Sequence, residues 1–400
     1  AGSVSKVSSM LMPAILAGFD GRNIPAAVQQ QLVPGDGNVD ALDPDFEIPS
    51  SWKASVGADV ELDFPEVIED VRLSFNYVYT RVNQAIRWVD LRRDLESIPN
   101  NLPVGTLPDG RPFYDVDNFD TRRGYDLLLT NTDQGDGHSA SINVSRRWKT
   151  GLFLSFGYAY QRVREVSPAT SSQSSSNYGN AAVIDPNNPE LGPGLYQRPH
   201  RLIVNGTYAM ELIEGLETTI SAVWESRSGQ PFSYTFGGQR DDLAALFGES
   251  RDFSRRQRAL LYVPSGDGSD VIFNGVDEAA FNQWLVDNGL DKFRGQIAPK
   301  NAFRSAWIHQ MDVRFQQELP SPGDHELLFI LDIENFGNII NPDWGRDKRV
   351  PFPFVVSPID VSIDQASGRY VYSNLDIQDT RRVSPVRSVW KLQAGLMYNF

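Results

Sequence analysis

Cysteine is absent from this 400-residue chain, so disulfides, thiolate metal sites and a thiol nucleophile are all excluded. Histidine is scarce: His138, His200, His309 and His325 share no ligand spacing such as i,i+4, and a histidine-built metal centre is not expected. No run approaches the ~20 apolar residues that a membrane helix needs. Positive charge is also short, with 37 Lys and Arg against 51 Asp and Glu. The net charge of −14 and a pI near 4.8 argue against a nucleic-acid binder that tracks phosphates. The many serines include no Gly-x-Ser-x-Gly elbow, and His325 beside Asp324 reads as a solvated turn. No catalytic residue, metal or cofactor is expected. The nearest thing to a targeting segment, Met10 to Phe19, contains Pro13 and has only Lys6 upstream; it reads as a loop or packed segment rather than a signal peptide.

What the chain has instead is alternation. In the last fourteen residues Trp390, Leu392, Ala394, Leu396, Tyr398 and Phe400 fall on one face of a strand, and Lys391, Gln393, Gly395, Met397 and Asn399 on the other. An apolar face with aromatics towards both ends suits an outer-membrane β-barrel strand. A soluble sandwich strand would read the same way, so this segment alone leaves both open.

The same rhythm recurs upstream. Residues 1–51 carry turn chemistry such as Pro34-Gly35-Asp36-Gly37 and read as a lead-in loop. Nine alternating runs follow, at 52–62, 70–92, 138–148, 152–164, 199–212, 216–228, 305–319, 325–340 and 387–400. Within the long connection 229–304, Phe281, Trp284 and Leu285 fall at helical spacing over Asp277 to Asn288, and Gly289 is placed to end that helix. Short turns at 63–69, 149–151, 213–215 and 320–324 alternate strictly with long connections at 93–137, 165–198, 229–304 and 341–386. Outer-membrane barrels have short periplasmic turns and long extracellular loops, whereas a sandwich has no reason to keep its long loops at one end. The expected fold is therefore all-β: an antiparallel transmembrane barrel portion over residues 52–400. Nine strands are odd where single-chain bacterial barrels are even, and an open edge in lipid leaves backbone groups unpaired, so either further strands lie within the chain or, the stronger reading, these are the C-terminal part of a larger barrel.

Several stretches also carry a family likeness, in order along the chain: Ile48-Pro49-Ser50-Ser51-Trp52, Leu129-Thr130-Asn131-Thr132-Asp133, Arg201-Leu202, Ser228-Gly229-Gln230-Pro231-Phe232-Ser233-Tyr234-Thr235-Phe236, Leu261-Tyr262-Val263-Pro264, Gln317-Glu318-Leu319, and Asp332-Ile333-Glu334-Asn335-Phe336 running on to Asp343-Trp344-Gly345. Together they resemble the C-terminal half of a TonB-dependent outer-membrane receptor of the Oar-like group, whose members often carry an N-terminal carboxypeptidase-regulatory-like domain. The resemblance implies about nine strands of a roughly twenty-two-stranded barrel closed by a plug, located in the bacterial cell outer membrane and working in active uptake. It implies as partners the membrane lipid, the barrel-assembly machinery through the C-terminal strand (Trp390, Leu392, Leu396, Tyr398, Phe400), a plug domain with the TonB complex, and an unidentified extracellular substrate. The chain departs from the whole pattern in showing no plug, TonB box or carboxypeptidase-regulatory-like domain. After Phe236 it has Arg240-Asp241-Asp242 and a basic patch, Arg255-Arg256-Gln257-Arg258, where the group carries an Asp-Gly-Asn-rich run. The runner-up is a structural, secretion-assisting or adhesin-like protein that binds a peptide or protein through its loops; a passive porin is third.

Candidate substrate-contacting residues fall in two places. Asp312, Arg314 and Glu225 are on the polar, lumen-facing side of their strands, where a salt-bridged wall is the plainer reading. Tyr234, Phe236, Tyr262 and Trp344 are loop aromatics able to stack on a ligand, although packing of the loops on one another is the plainer use for such residues. The acidic clusters around Asp241, Asp267 and Asp115 lack a full calcium-loop pattern and read as solvated turns.

Overall fold

The computed structural model describes residues 37–64 and 68–400. The Met10 to Phe19 segment, most of the lead-in and the centre of the first short turn lie outside the described residues.

Eleven strands carry one large sheet, to which the two-residue strand Gly192–Pro193 adds a twelfth beside the end of β6: β1 Val39–Leu42, β2 Ser50–Phe64, β3 Ile68–Asp90, β4 Asp126–Thr132, β5 Asp136–Arg147, β6 Leu152–Glu165, β7 His200–Ile213, β8 Leu216–Arg227, β9 Ile308–Leu319, β10 Glu326–Glu334 and β11 Lys391–Asn399. From β5 to β11 each strand pairs antiparallel with its sequence neighbour; β3 lies between β2 and β5. This is the expected up-and-down wall. Register carries the alternation across strands: the apolar row Ile220, Phe315 and Leu331 runs beside the polar row Ser221, Arg314, Asp332 and Gln393. A one-residue slip would exchange the two faces, so the pattern itself fixes the register.

Two of the expected boundaries are corrected. The connection 93–137 is not all loop: β4 pairs with the upper half of β3 (Ala85 with Thr132, Asp90 with Leu127), and β5 continues along its lower half. The two are one wall strand bent at 133–135, where Gly135 has φ +147° and accepts a hydrogen bond from the Val82 N–H at 3.1 Å. The bend shifts the phase of alternation, and the apolar run Leu127-Leu128-Leu129 shows no period of two. The expected strand 325–340 stops at Glu334: Asn335 takes φ +52° and Gly337–Ile340 forms one helical turn.

The wall is open among the described residues. β2 pairs only with β3, and β11 only with β10. In a run of nine antiparallel strands the first and last point the same way.

The buried core lies outside the wall, at the end that carries the long connections. Wall side chains on the apolar face stay exposed, Leu396 at 70%. The long connections instead fold together around one hydrophobic cluster that includes Phe113, Leu195, Phe236, Leu246, Leu261, Phe281, Val350 and Tyr372. The expected helix is present as Glu278–Asp287; Asp277 caps it by accepting from the Ala280 N–H, and Phe281 and Leu285 are fully buried.

Candidate functional site

Two regions stand where a solute would meet this protein: the polar face of the wall and the cap above it. On the polar face, alternation places Asp312, Arg314 and Gln316 of β9 beside Ser221 and Val223 of β8 and beside Asp332 and Glu334 of β10. These residues, with Lys391 and Gln393 of β11, line a groove of about 680 Å³. Its charges are paired across strands. Arg314 makes a two-pronged contact with Asp332, Nε to Oδ1 at 2.6 Å and Nη2 to Oδ2 at 3.0 Å. Lys391 Nζ donates to Glu334 at 2.8 Å, and Asp312 accepts from the Asn335 N–H at 2.7 Å. Nearer the cap, Glu225 accepts from Arg201 and Arg227, both at 2.7 Å. Asp312 and Arg314 thus meet in one groove, with Glu225 outside its lining on the same face. Such a surface is hydrophilic, close to neutral along its length, and rich in exposed hydrogen-bonding groups.

The cap treats the four candidate aromatics differently. Tyr234, Phe236 and Tyr262 are 4%, 0% and 3% exposed. Phe236 packs against Tyr370 and Tyr372 with ring centroids 5.4 and 5.6 Å apart, and Tyr262 stacks on Tyr370 at 5.3 Å. Tyr234 packs edge-on to Trp284 at 5.2 Å, donates its hydroxyl to Asn288, and shows only an edge to a small cleft of about 190 Å³. In this structure the three rings pack the loops on one another, the plainer of the two uses expected of them. A sequence cannot separate the two uses, because both call for large rings in irregular backbone. Trp344 remains 54% exposed.

Charged residues are part of the cap core. Arg111 donates to Asp109 through Nε and Nη2, at 2.9 and 2.7 Å, and to the Leu260 carbonyl at 3.0 Å; its guanidinium lies 5.6 Å from the ring centres of both Phe236 and Tyr370. The Tyr370 hydroxyl donates to Asp109 at 2.7 Å. Burial works against the charge on Asp109, but the Arg111 guanidinium and these hydrogen bonds outweigh it and hold the carboxyl below its ordinary value. The basic patch divides. Arg258 is buried, with Nη2 on the Glu249 carboxylate and Nη1 donating to the Tyr178 carbonyl at 2.7 Å. Arg255 and Arg256 instead line a separate cleft of about 520 Å³ with Arg382, Phe352 and Thr380.

The acidic clusters serve as turn caps: Asp267 accepts from Ser265 and Ser269, and Asp115 from the Asn118 side chain. Among the described residues no three His, Cys, Asp or Glu side chains converge as a metal-holding group.

The family comparison matches residues 7–345 to the outer membrane beta barrel domain. No curated protein matches the chain. The matched span takes in the wall from its first strand through β10, together with three of the long connections. With its two-faced strands, short turns at one end and folded connections at the other, the chain belongs to the outer membrane beta barrel domain family and resides in the bacterial outer membrane.

Proposed function

We propose that this chain forms the C-terminal barrel wall and extracellular vestibule of a TonB-dependent receptor that takes a substrate up actively across the outer membrane. The observation that carries this reading is the cap: the long connections fold about one shared core at one end of the wall, a substantial structure on the side from which substrate arrives. Two further features support it. The free edges of β2 and β11 suit a larger barrel whose remaining strands pair with them, and the ordered motifs from Ile48 to Gly345 resemble that receptor group. In this account substrate first meets the cap, where Trp344 and the cleft of Arg255, Arg256 and Arg382 are accessible. Asp312, Arg314 and Glu225 line its path below. A plug and the TonB complex supply the movement, and the wall contributes shape and hydrogen bonds rather than chemistry.

The test compares energised uptake with conductance. Cells bearing the intact protein should lose uptake of its substrate when the proton motive force is collapsed, and the purified protein should be silent in a planar bilayer. Steady ohmic conductance, or uptake indifferent to the uncoupler, would refute active transport and favour a passive pore.

A further inference from the structure

The apolar face of the wall changes character near the cap. Cross-strand register sets Tyr77, Ala140, Tyr160 and His200 in one row across β3, β5, β6 and β7, and Tyr79, His138 and Arg162 in the row above. The next row holds Trp52, Arg81, Asp136 and Arg164. Each row is two residues, about 7 Å of strand.

The lower part of this band is an aromatic girdle built partly from histidine. The His138, His200 and His309 Nδ1 atoms each share a 2.8 Å hydrogen bond with a hydroxyl on a neighbouring strand, from Tyr77, Tyr158 and Ser226 respectively. His200 stacks on Trp307 at 6.0 Å, and His309 on Trp224 at 6.3 Å. Rings with an apolar body and a polar tip settle at the level of lipid headgroups, so this belt marks the boundary of the hydrocarbon.

Three arginines stand on the same outward face, at that line or one row above it. Arg164 is compensated: its Nε donates to Asp136 at 2.6 Å, and Asp136 also lies 3.7 Å from His138 Nε2. Arg81 and Arg162 are exposed and make no ion pair among the described residues. Two uncompensated guanidinium groups turned outward at headgroup level, on a chain of net charge −14, call for an anion supplied by the surroundings. We propose that Arg81 and Arg162, framed by Tyr79, His138 and the Asp136–Arg164 pair, hold a phosphate on the headgroup of an outer-leaflet membrane lipid. A guanidinium presents paired N–H donors that match phosphate oxygens, and the neighbouring rings seat the sugar or acyl shoulder of the same lipid. The site belongs to the outer surface of the wall and is independent of what passes through the lumen.

The experiment is native mass spectrometry of the full chain extracted in detergent, titrated with bis-phosphorylated lipid A or with its enzymatically dephosphorylated form. The wild-type protein should retain the phosphorylated lipid preferentially. The double variant Arg81→Ala/Arg162→Ala should bind it roughly thirtyfold more weakly, which corresponds to about 1 kcal/mol for each arginine near a charged headgroup. Arg81→Lys/Arg162→Lys, which keeps the charge but loses the paired donors, should bind between the wild type and the double alanine variant. Arg146→Ala should leave binding unchanged, since Arg146 lies on the same face at the opposite end, over the Trp148 ring at 4.8 Å. Equal retention of both lipids by the wild-type protein would overturn the proposal without recourse to any variant. So would an equal loss on Arg146→Ala, or displacement of the lipid by inorganic phosphate at matched concentration.

Discussion

Replacing Glu249 with Ala isolates the most deeply buried charge in the cap. Arg258 is fully buried; its guanidinium lies 4.5 Å from the ring centre of Tyr178, 5.6 Å from Phe247 and 5.8 Å from Phe253. Glu249, also fully buried, is its only carboxylate partner among the described residues. Without that carboxylate the cation keeps one carbonyl and three ring faces, and its loss of hydration is uncompensated. Breaking a buried pair by removing one partner costs about 3–5 kcal/mol, whereas exchanging both for apolar residues of similar volume is often neutral. Glu249→Ala should therefore raise local opening of the cap by roughly two to nearly four orders of magnitude. Glu249→Leu combined with Arg258→Met should recover most of that protection. Hydrogen exchange followed by mass spectrometry is the assay, because it resolves cap peptides (240–260 and 176–183) from wall peptides such as 308–319, whose rates should not change. The reasoning fails if Glu249→Ala accelerates cap exchange by less than about fivefold, equivalent to roughly 1 kcal/mol, or if the double replacement is as damaging as the single one.

Three other consequences follow. Leu396→Arg puts a charge on the lipid face and should lower barrel stability by roughly 2–4 kcal/mol near the midplane, whereas Gln316→Arg on the polar face of β9 should be far milder; equal folding yields in lipid vesicles would mean the faces are reversed. Asp109 has a folded-state pKa held below its unfolded value, so its contribution is fully present at neutral pH and is lost as pH falls from about 4 through that lower value. Cap exchange near Arg111 should accordingly rise in acid, and Asp109→Asn, already loosened at pH 7, should show a flatter response. Gly151 and Gly215 both sit in short turns at positive φ, +85° and +77°, but a Cβ on Gly151 would lie 2.3 Å from the Ala209 carbonyl oxygen while one on Gly215 meets nothing within 4 Å. Gly215→Ala should cost only the backbone strain of about 1 kcal/mol, Gly151→Ala distinctly more, as measured by urea unfolding in vesicles.

The wall was legible in the sequence because each strand states its own two faces locally. Leu392, Ala394 and Leu396 against Lys391, Gln393 and Gly395 need no partner to be read, and nine such runs gave the number and order of the wall strands. The bend at Gly135 is not legible because it breaks the phase of one wall strand, and Leu127-Leu128-Leu129, with no period of two, reads as part of a loop. The cap escaped for a different reason: its contacts join residues hundreds of positions apart, as when the Tyr370 hydroxyl meets Asp109, and no local period announces them. The helix at Glu278–Asp287 is the exception, since its capping aspartate and terminating glycine lie within the segment itself. On the polar face, Asp312 and Arg314 could be placed by parity alone, while their pairing with Asn335 and Asp332 required the register. The histidine girdle was hidden likewise: Tyr77 and His138 are 61 residues apart in sequence and join only across paired strands.

The central claim is that one face of every wall strand meets lipid and the other meets water. With no native cysteine in the chain, single-cysteine variants at 391, 392, 393, 394 and 396 can carry a nitroxide label in the refolded protein without background. Relaxation by oxygen, which partitions into lipid, should dominate at 392, 394 and 396, and relaxation by a water-soluble nickel chelate at 391 and 393. A profile without period two, or with the two reagents exchanged, would contradict the account at its foundation.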